Sequence, residues 1–125
     1  MTRCSFDARL AIHVALTGIM AWLAFVLGLS SGTFAQDHGW RQFAALGSED
    51  SWAAVFAAVG LVGGVGIGSP HAVIRHGSIM ILSGAHGCVA LMMLWGAPYG
   101  AGSGPYGIYA LLGYYLLWRR TCEGV

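Results

Sequence analysis

Among acids, bases and imidazoles, the long apolar stretches of this sequence hold only three histidines: His13, His76 and His86. Neutral imidazole is the usual axial ligand of a buried haem, so the sharpest chemistry open to them is haem ligation. The plainer alternative is a histidine hydrogen-bonded across a helix interface. Depth separates the two. His76 and His86 are ten residues apart, about 15 Å along a helix and too far to share one iron. His13 and His76 lie at similar depth near the water boundary and could meet. His86 has no histidine at its own level, so a bis-histidine haem there would need a second copy of the chain. A structural role is expected for all three, with a haem held by His86, His76 or His13 as the alternative.

Other chemistry lacks its residues. No Asp or Glu lies inside any apolar run, which argues against a small proton-coupled efflux pump, whose mechanism needs an embedded carboxylate. No Ser, His and Asp set can be assembled at one depth, and Ser78 and Ser83 are spaced for packing or hydrogen bonding. The glycines from Gly60 to Gly68 resemble a phosphate loop only superficially, since no lysine follows them and the run is apolar. No catalytic residue is expected.

The elements that carry these histidines are read from hydropathy. The chain is 57% hydrophobic and 9% charged, with a mean hydropathy of +0.68, so lipid must supply much of the burial that a soluble domain of 125 residues would find internally. Two apolar runs, Ser51 to Gly68 and Gly77 to Trp95, carry no Asp, Glu, Lys or Arg and are long enough to cross a hydrocarbon core of about 30 Å. A basic turn, Ser69 to His76, joins them. Ahead of this hairpin, Leu10 to Leu29 is uncharged. It is too long for a typical signal-peptide core, and an uncleaved first span is expected although Thr33-Phe34-Ala35 offers small residues to a signal peptidase. A last run, Tyr106 to Trp118, reaches membrane length only by borrowing from the glycine loop before it and letting Arg119 and Arg120 snorkel. The expectation is an all-α, integral membrane, antiparallel four-helix bundle forming one domain over residues 1–125, with spans near 10–30, 51–68, 76–96 and 102–118.

Between the first two spans, Trp40, Phe43, Ala44 and Gly47 recur at helical spacing, which predicts a short amphipathic helix over 39–47 lying in the interface. Gly47 should end it, Ser48 should cap the next helix, and Glu49 and Asp50 should sit in that helix's first turn. Gly60, Gly64 and Gly68 are four apart and form a smooth ridge, with Ser83 and Gly87 as a matching small face on the third span. The ridge is expected to pack against that span, with association between copies as the alternative.

There are six arginines, no lysine and a formal net charge of +1. The arginines fall in ones and twos, so no nucleic-acid patch is expected. Their placement instead sets orientation: Arg3 and Arg9 precede the first span, Arg75 lies between the second and third, and Arg119 and Arg120 follow the last, which puts both termini in the cytoplasm. Cys4, Cys88 and Cys122 match neither a metal clip nor a disulfide framework and read as free thiols.

The stretches Gly32-Thr33-Phe34-Ala35, Trp40-Arg41-Gln42-Phe43-Ala44-Ala45-Leu46 and Ser51-Trp52-Ala53-Ala54-Val55-Phe56-Ala57-Ala58-Val59-Gly60-Leu61 resemble small four-helix membrane proteins encoded in tailed-phage and prophage genomes. Pro105-Tyr106-Gly107-Ile108-Tyr109-Ala110-Leu111-Leu112 before an arginine pair is similar to their last helix. The resemblance implies a phage-borne protein of the bacterial inner membrane with no assigned activity, and it carries over no catalytic residue. The expected function is non-enzymatic: assembly in the host membrane, in the manner of a holin or an envelope modifier. A haem-bearing anchor or electron-transfer subunit, or an accessory subunit of a larger membrane complex, are the alternatives. Expected partners are the lipid bilayer, other copies of the chain or such a complex.

Overall fold

The computed structural model describes residues 3–29, 32–36, 38–96 and 103–123, and every regular element among them is helical. They are α1 (Arg3–Leu29), α2 (Thr33–Gln36), a 3₁₀ turn (His38–Trp40), α3 (Arg41–Leu46), α4 (Glu49–Gly68), α5 (Ala72–Gly96) and α6 (Ser103–Glu123). Three of these, α1, α4 and α5, are long and apolar enough to cross a membrane. The predicted loop residues 97–102, with Pro98 and Tyr99, lie outside the described residues.

The long helices bury narrow stripes. In α1 the buried residues are His13, Leu16, Met20, Leu23 and Leu27, at alternating spacings of three and four, which keeps one seam inward. The same spacing recurs in α6, where Tyr106 and Tyr109 are half-buried and Gly113 and Leu116 are buried. Contacts set the register: Thr17 faces Gly63, Ala21 faces Gly60 and Gly28 faces Ala53, so α1 and α4 run antiparallel. Ser83 against Gly113 and Gly87 against Ala110 place α5 and α6 antiparallel in the same way. The start of α1, the end of α4, the start of α5 and the end of α6 meet at one end. The opposite large apolar surface, including Trp22, Phe25, Leu61, Val65, Met80, Leu91 and Leu111, is exposed.

Glycine placement differs from the predicted ridge. Gly60 lies against the Ala21 backbone, but Gly64 and Gly68 have open space where a Cβ would stand. The close approaches are made at Gly63 and Gly66, both buried. A Cβ on Gly63 would strike Thr17, and one on Gly66 would strike Ser78 and come within 3.1 Å of His13 Cε1. A ridge counted at four-residue intervals drifts around a helix of 3.6 residues per turn, which carries Gly64 and Gly68 off the packed face. Ser83 and Gly87 likewise meet α6 rather than the α4 glycines.

Helix ends also moved. Only Ser69, Pro70 and His71 separate α4 from α5, so most of the predicted basic turn is helix. The Ser69 hydroxyl accepts from His71 N at 3.2 Å, and the His71 carbonyl accepts from Arg75 N at 3.2 Å, which starts α5 immediately after the proline. Pro105 does not break α6, because it sits in the first turn, where no backbone donor is missed. Ser48 caps α4 as expected, its side chain accepting from Ser51 N at 3.2 Å.

The segment 39–47 is not laid on a lipid surface by its apolar side. Trp40 and Phe43 are buried, Phe43 completely, in an aromatic cluster with Phe34, Trp52 and Phe56. The Trp40 and Phe43 rings, and those of Phe43 and Trp52, are each 4.9 Å apart. Trp52 Nε1 donates to the Phe43 carbonyl at 2.9 Å, and Gly47, ending α3, donates to the same oxygen at 3.0 Å. The rings of Trp52 and Phe56 on α4 cover Phe43 from the protein side. Gly96 fits against the carbonyls of His38 and Gly39, 3.0 and 3.2 Å from where its Cβ would be. This closes the second end of the molecule.

The glycine assignment is directly testable. Gly66→Ala is expected to destabilise the protein by about 1–3 kcal/mol through overpacking. Gly64→Ala should hold or gain stability, since alanine is the better helix former by about 1 kcal/mol. Unfolding of the two variants in detergent would show the difference, and equal effects would refute the assigned packing face.

Candidate functional site

Three features remain once the packing is accounted for: a basic pocket at the first end, a buried histidine between α5 and α6, and an outward face of α4. The pocket has a volume of about 100 Å³ and is lined by Arg9, Leu10, His13, Ile67, Arg75, His76, Ile79 and Leu116. Here the structure brings together the two histidines predicted to lie at similar depth. It adds two arginines, Arg9 and Arg75, whose placement also bears on orientation.

Hydrogen bonds fix the pocket's walls. The Ser78 hydroxyl donates to the Arg75 carbonyl at 2.8 Å, so its oxygen must accept from His13 Nε2, 3.2 Å away. His13 therefore carries its proton on Nε2. This bond ties α1 to α5 across the space left by Gly66. The Thr17 hydroxyl donates to the His13 carbonyl at 2.9 Å. His76 Nδ1 donates to the Ala72 carbonyl at 2.6 Å. The Arg75 guanidinium folds back on the preceding turn, one terminal nitrogen donating to the Ser69 and Pro70 carbonyls at 3.3 and 3.4 Å.

His86 stands apart from that pair. It is fully buried, and its Nδ1 donates to the Leu82 carbonyl at 2.8 Å. Its Nε2 therefore presents a lone pair, with no hydrogen-bond partner among the described residues; Ser83 Oγ is in the same position. The Tyr106 and Tyr109 rings stand 6.3 and 5.7 Å from the imidazole. The three histidines thus divide two to one, and no single iron reaches all of them.

The outer face of α4 is the third feature. Ala54, Ala57, Ala58, Leu61, Gly64, Val65 and Gly68 are all exposed and fall on one side of the helix by its 3.6-residue period. Gly64 and Gly68 are open there, and with Ala57 they form a shallow track beside Leu61.

Comparison with protein-family models, with curated proteins and with solved structures found no match.

Ser78→Ala is expected to cost about 1–3 kcal/mol, because it leaves a buried His13 N–H without an acceptor. His86→Leu should cost less than Ser78→Ala, since it removes an unpaired buried nitrogen. Chemical or thermal unfolding of both variants checks the ranking, and the reverse order would show that the two imidazoles have been assigned the wrong surroundings.

Proposed function

We propose that this chain is a non-enzymatic four-helix protein of the bacterial inner membrane that acts by assembling in the bilayer, as a holin or another envelope-modifying protein does. The observation that carries the reading is the outward track on α4. It sits on a helix of membrane-spanning length and composition, and its glycines face away from the rest of the chain. Small residues of this kind let helices of neighbouring molecules approach closely in lipid, where contact and interhelical hydrogen bonding replace the hydrophobic drive available in water.

In this reading α6 crosses the bilayer as the fourth helix, held against α5 through Ser83, Gly87, Ala110 and Gly113. Both termini are cytoplasmic. Arg9 and Arg75 line one end and Glu49 and Asp50 start α4 at the other, in keeping with the positive-inside tendency. The expected kinship with small phage membrane proteins is part of this proposal, and assembly with a larger host complex is its nearest variant.

Induced expression should collapse the membrane potential, and cross-linking in membranes should trap oligomers. Gly64→Leu is expected to lower the cross-linked fraction about tenfold, equivalent to about 1.4 kcal/mol, and to delay depolarisation. Harmless expression of a protein that is abundant in the membrane would overturn the proposal.

A haem-bearing anchor is kept as a second reading because of His86. A backbone-bonded Nδ1–H with a free Nε2 lone pair is the state in which imidazole ligates metal. A Soret band in the purified protein that disappears in His86→Leu is the expected sign, and a colourless protein after expression with added haem would exclude it.

A further inference from the structure

Polar side chains between the long helices fall into two groups. Where α1, α4 and α5 meet they are paired. His13 Nε2 donates to the Ser78 oxygen, the Ser78 hydroxyl donates to the Arg75 carbonyl, and the Thr17 hydroxyl, opposite Gly63, donates to the His13 carbonyl. Between α5 and α6 they are not. Ser83 is buried against Gly113, and His86 is completely buried beside the rings of Tyr106 and Tyr109. Neither Ser83 Oγ nor His86 Nε2 has a hydrogen-bond partner among the described residues. Both residues lie in the middle third of α5, three apart and so on one side of the helix.

A buried polar atom left unpaired costs more than a paired one returns, so the α5–α6 contact carries a penalty that the α1–α5 contact escapes. The hold on α6 is also one-sided. It packs chiefly on α5, where Gly87 meets Ala110 and Ser83 meets Gly113, and it touches α1 only at its margin. It is the least apolar of the four long helices and carries tyrosines at positions 106, 109, 114 and 115. Contact with water therefore costs α6 less than it would cost the other three.

We infer that the α5–α6 seam is built to open: α6 parts from α5 far enough to admit water to Ser83 and His86, while α1, α4 and α5 stay together. Closed, the seam buries the inner face of α6 and leaves two polar atoms unpaired. Open, it loses that burial, and water accepts from the Ser83 hydroxyl and donates to His86 Nε2, the acceptor nitrogen of a ring whose Nδ1 is committed to the Leu82 carbonyl. The opposed effects bring the two states close in free energy, as a moving element requires. The device rests on α5 and α6 lying together in the bilayer and is independent of association through α4. It adds to the assembly reading the helix that moves.

The test is hydrogen–deuterium exchange of the full chain in phosphatidylcholine vesicles, read peptide by peptide. Amides of residues 106–116 are expected to exchange about tenfold faster than those of residues 55–65 in α4. Ser83→Ala combined with His86→Leu, which removes both unpaired atoms, should slow residues 106–116 about tenfold and leave α4 unchanged. Exchange in α6 as slow as in α4 would overturn the opening, and this outcome is read from the unmutated protein. Fast exchange in α6 that the double replacement leaves unaltered would overturn the role of the two atoms and trace the exposure to α6 alone. Exchange is measured without reference to membrane potential, so harmless expression would count against the assembly reading and leave the seam standing.

Discussion

The arrangement of α1, α4 and α5 depends on a side chain that is absent. Gly66 of α4 is buried, and a Cβ there would collide with Ser78 of α5 and crowd His13 of α1. Through that gap His13 reaches Ser78 and joins two helices 65 residues apart in sequence. In hydrocarbon, polar groups gain most by finding one another, and they can do so only if backbones approach closely. Gly63 repeats the device one turn earlier against Thr17. Between α5 and α6 the same exchange is made by Gly113 and Ser83.

The two ends of the molecule are built from different interactions. At the second end the Glu49 carboxylate accepts from Phe34 N at 2.6 Å and Gly32 N at 3.1 Å, so one acid in the first turn of α4 also satisfies free amides around the start of α2. Gly32 adopts a φ of +112°, which a side chain would resist, and this lets the chain turn back toward α4. Aromatic rings then fill the space behind it. At the first end, cations and imidazoles gather with little bulk between them. One end is closed by ring packing, while the other holds an open polar recess.

Much of this was legible in the sequence. The uncharged runs marked the three helices that can span, and Gly47, Ser48, Glu49 and Asp50 marked the break before α4 because capping is a local matter. Periodicity found Trp40 and Phe43 but not what would cover them, since an apolar face looks the same whether lipid or Trp52 and Phe56 lie opposite. The glycine pattern misled for a related reason. Small residues four apart suggest a ridge, yet which glycines pack depends on the register with α1, and Gly63 and Gly66 are chosen by Thr17, His13 and Ser78. Arg9 and Arg75 are far apart in sequence, and they converge because α4 runs back antiparallel to α1, so that α5 starts beside the start of α1. Matching His13 and His76 by depth was the signal that pointed to this end. Extending the same comparison to the arginines would have found the pocket.

The distribution of tryptophan makes the chain its own optical gauge of immersion. Trp40 is buried and Trp52 half-buried in the aromatic cluster, whereas Trp22, Trp95 and Trp118 are 63%, 80% and 68% exposed. Trp22 and Trp118 lie in the last third of α1 and α6, and Trp95 lies at the end of α5. Emission from the native protein is therefore a sum of two populations, one shielded by neighbouring rings and one accessible to quenchers carried on acyl chains at different depths. Loss of the aromatic cluster and withdrawal from the bilayer would shift different parts of the same spectrum.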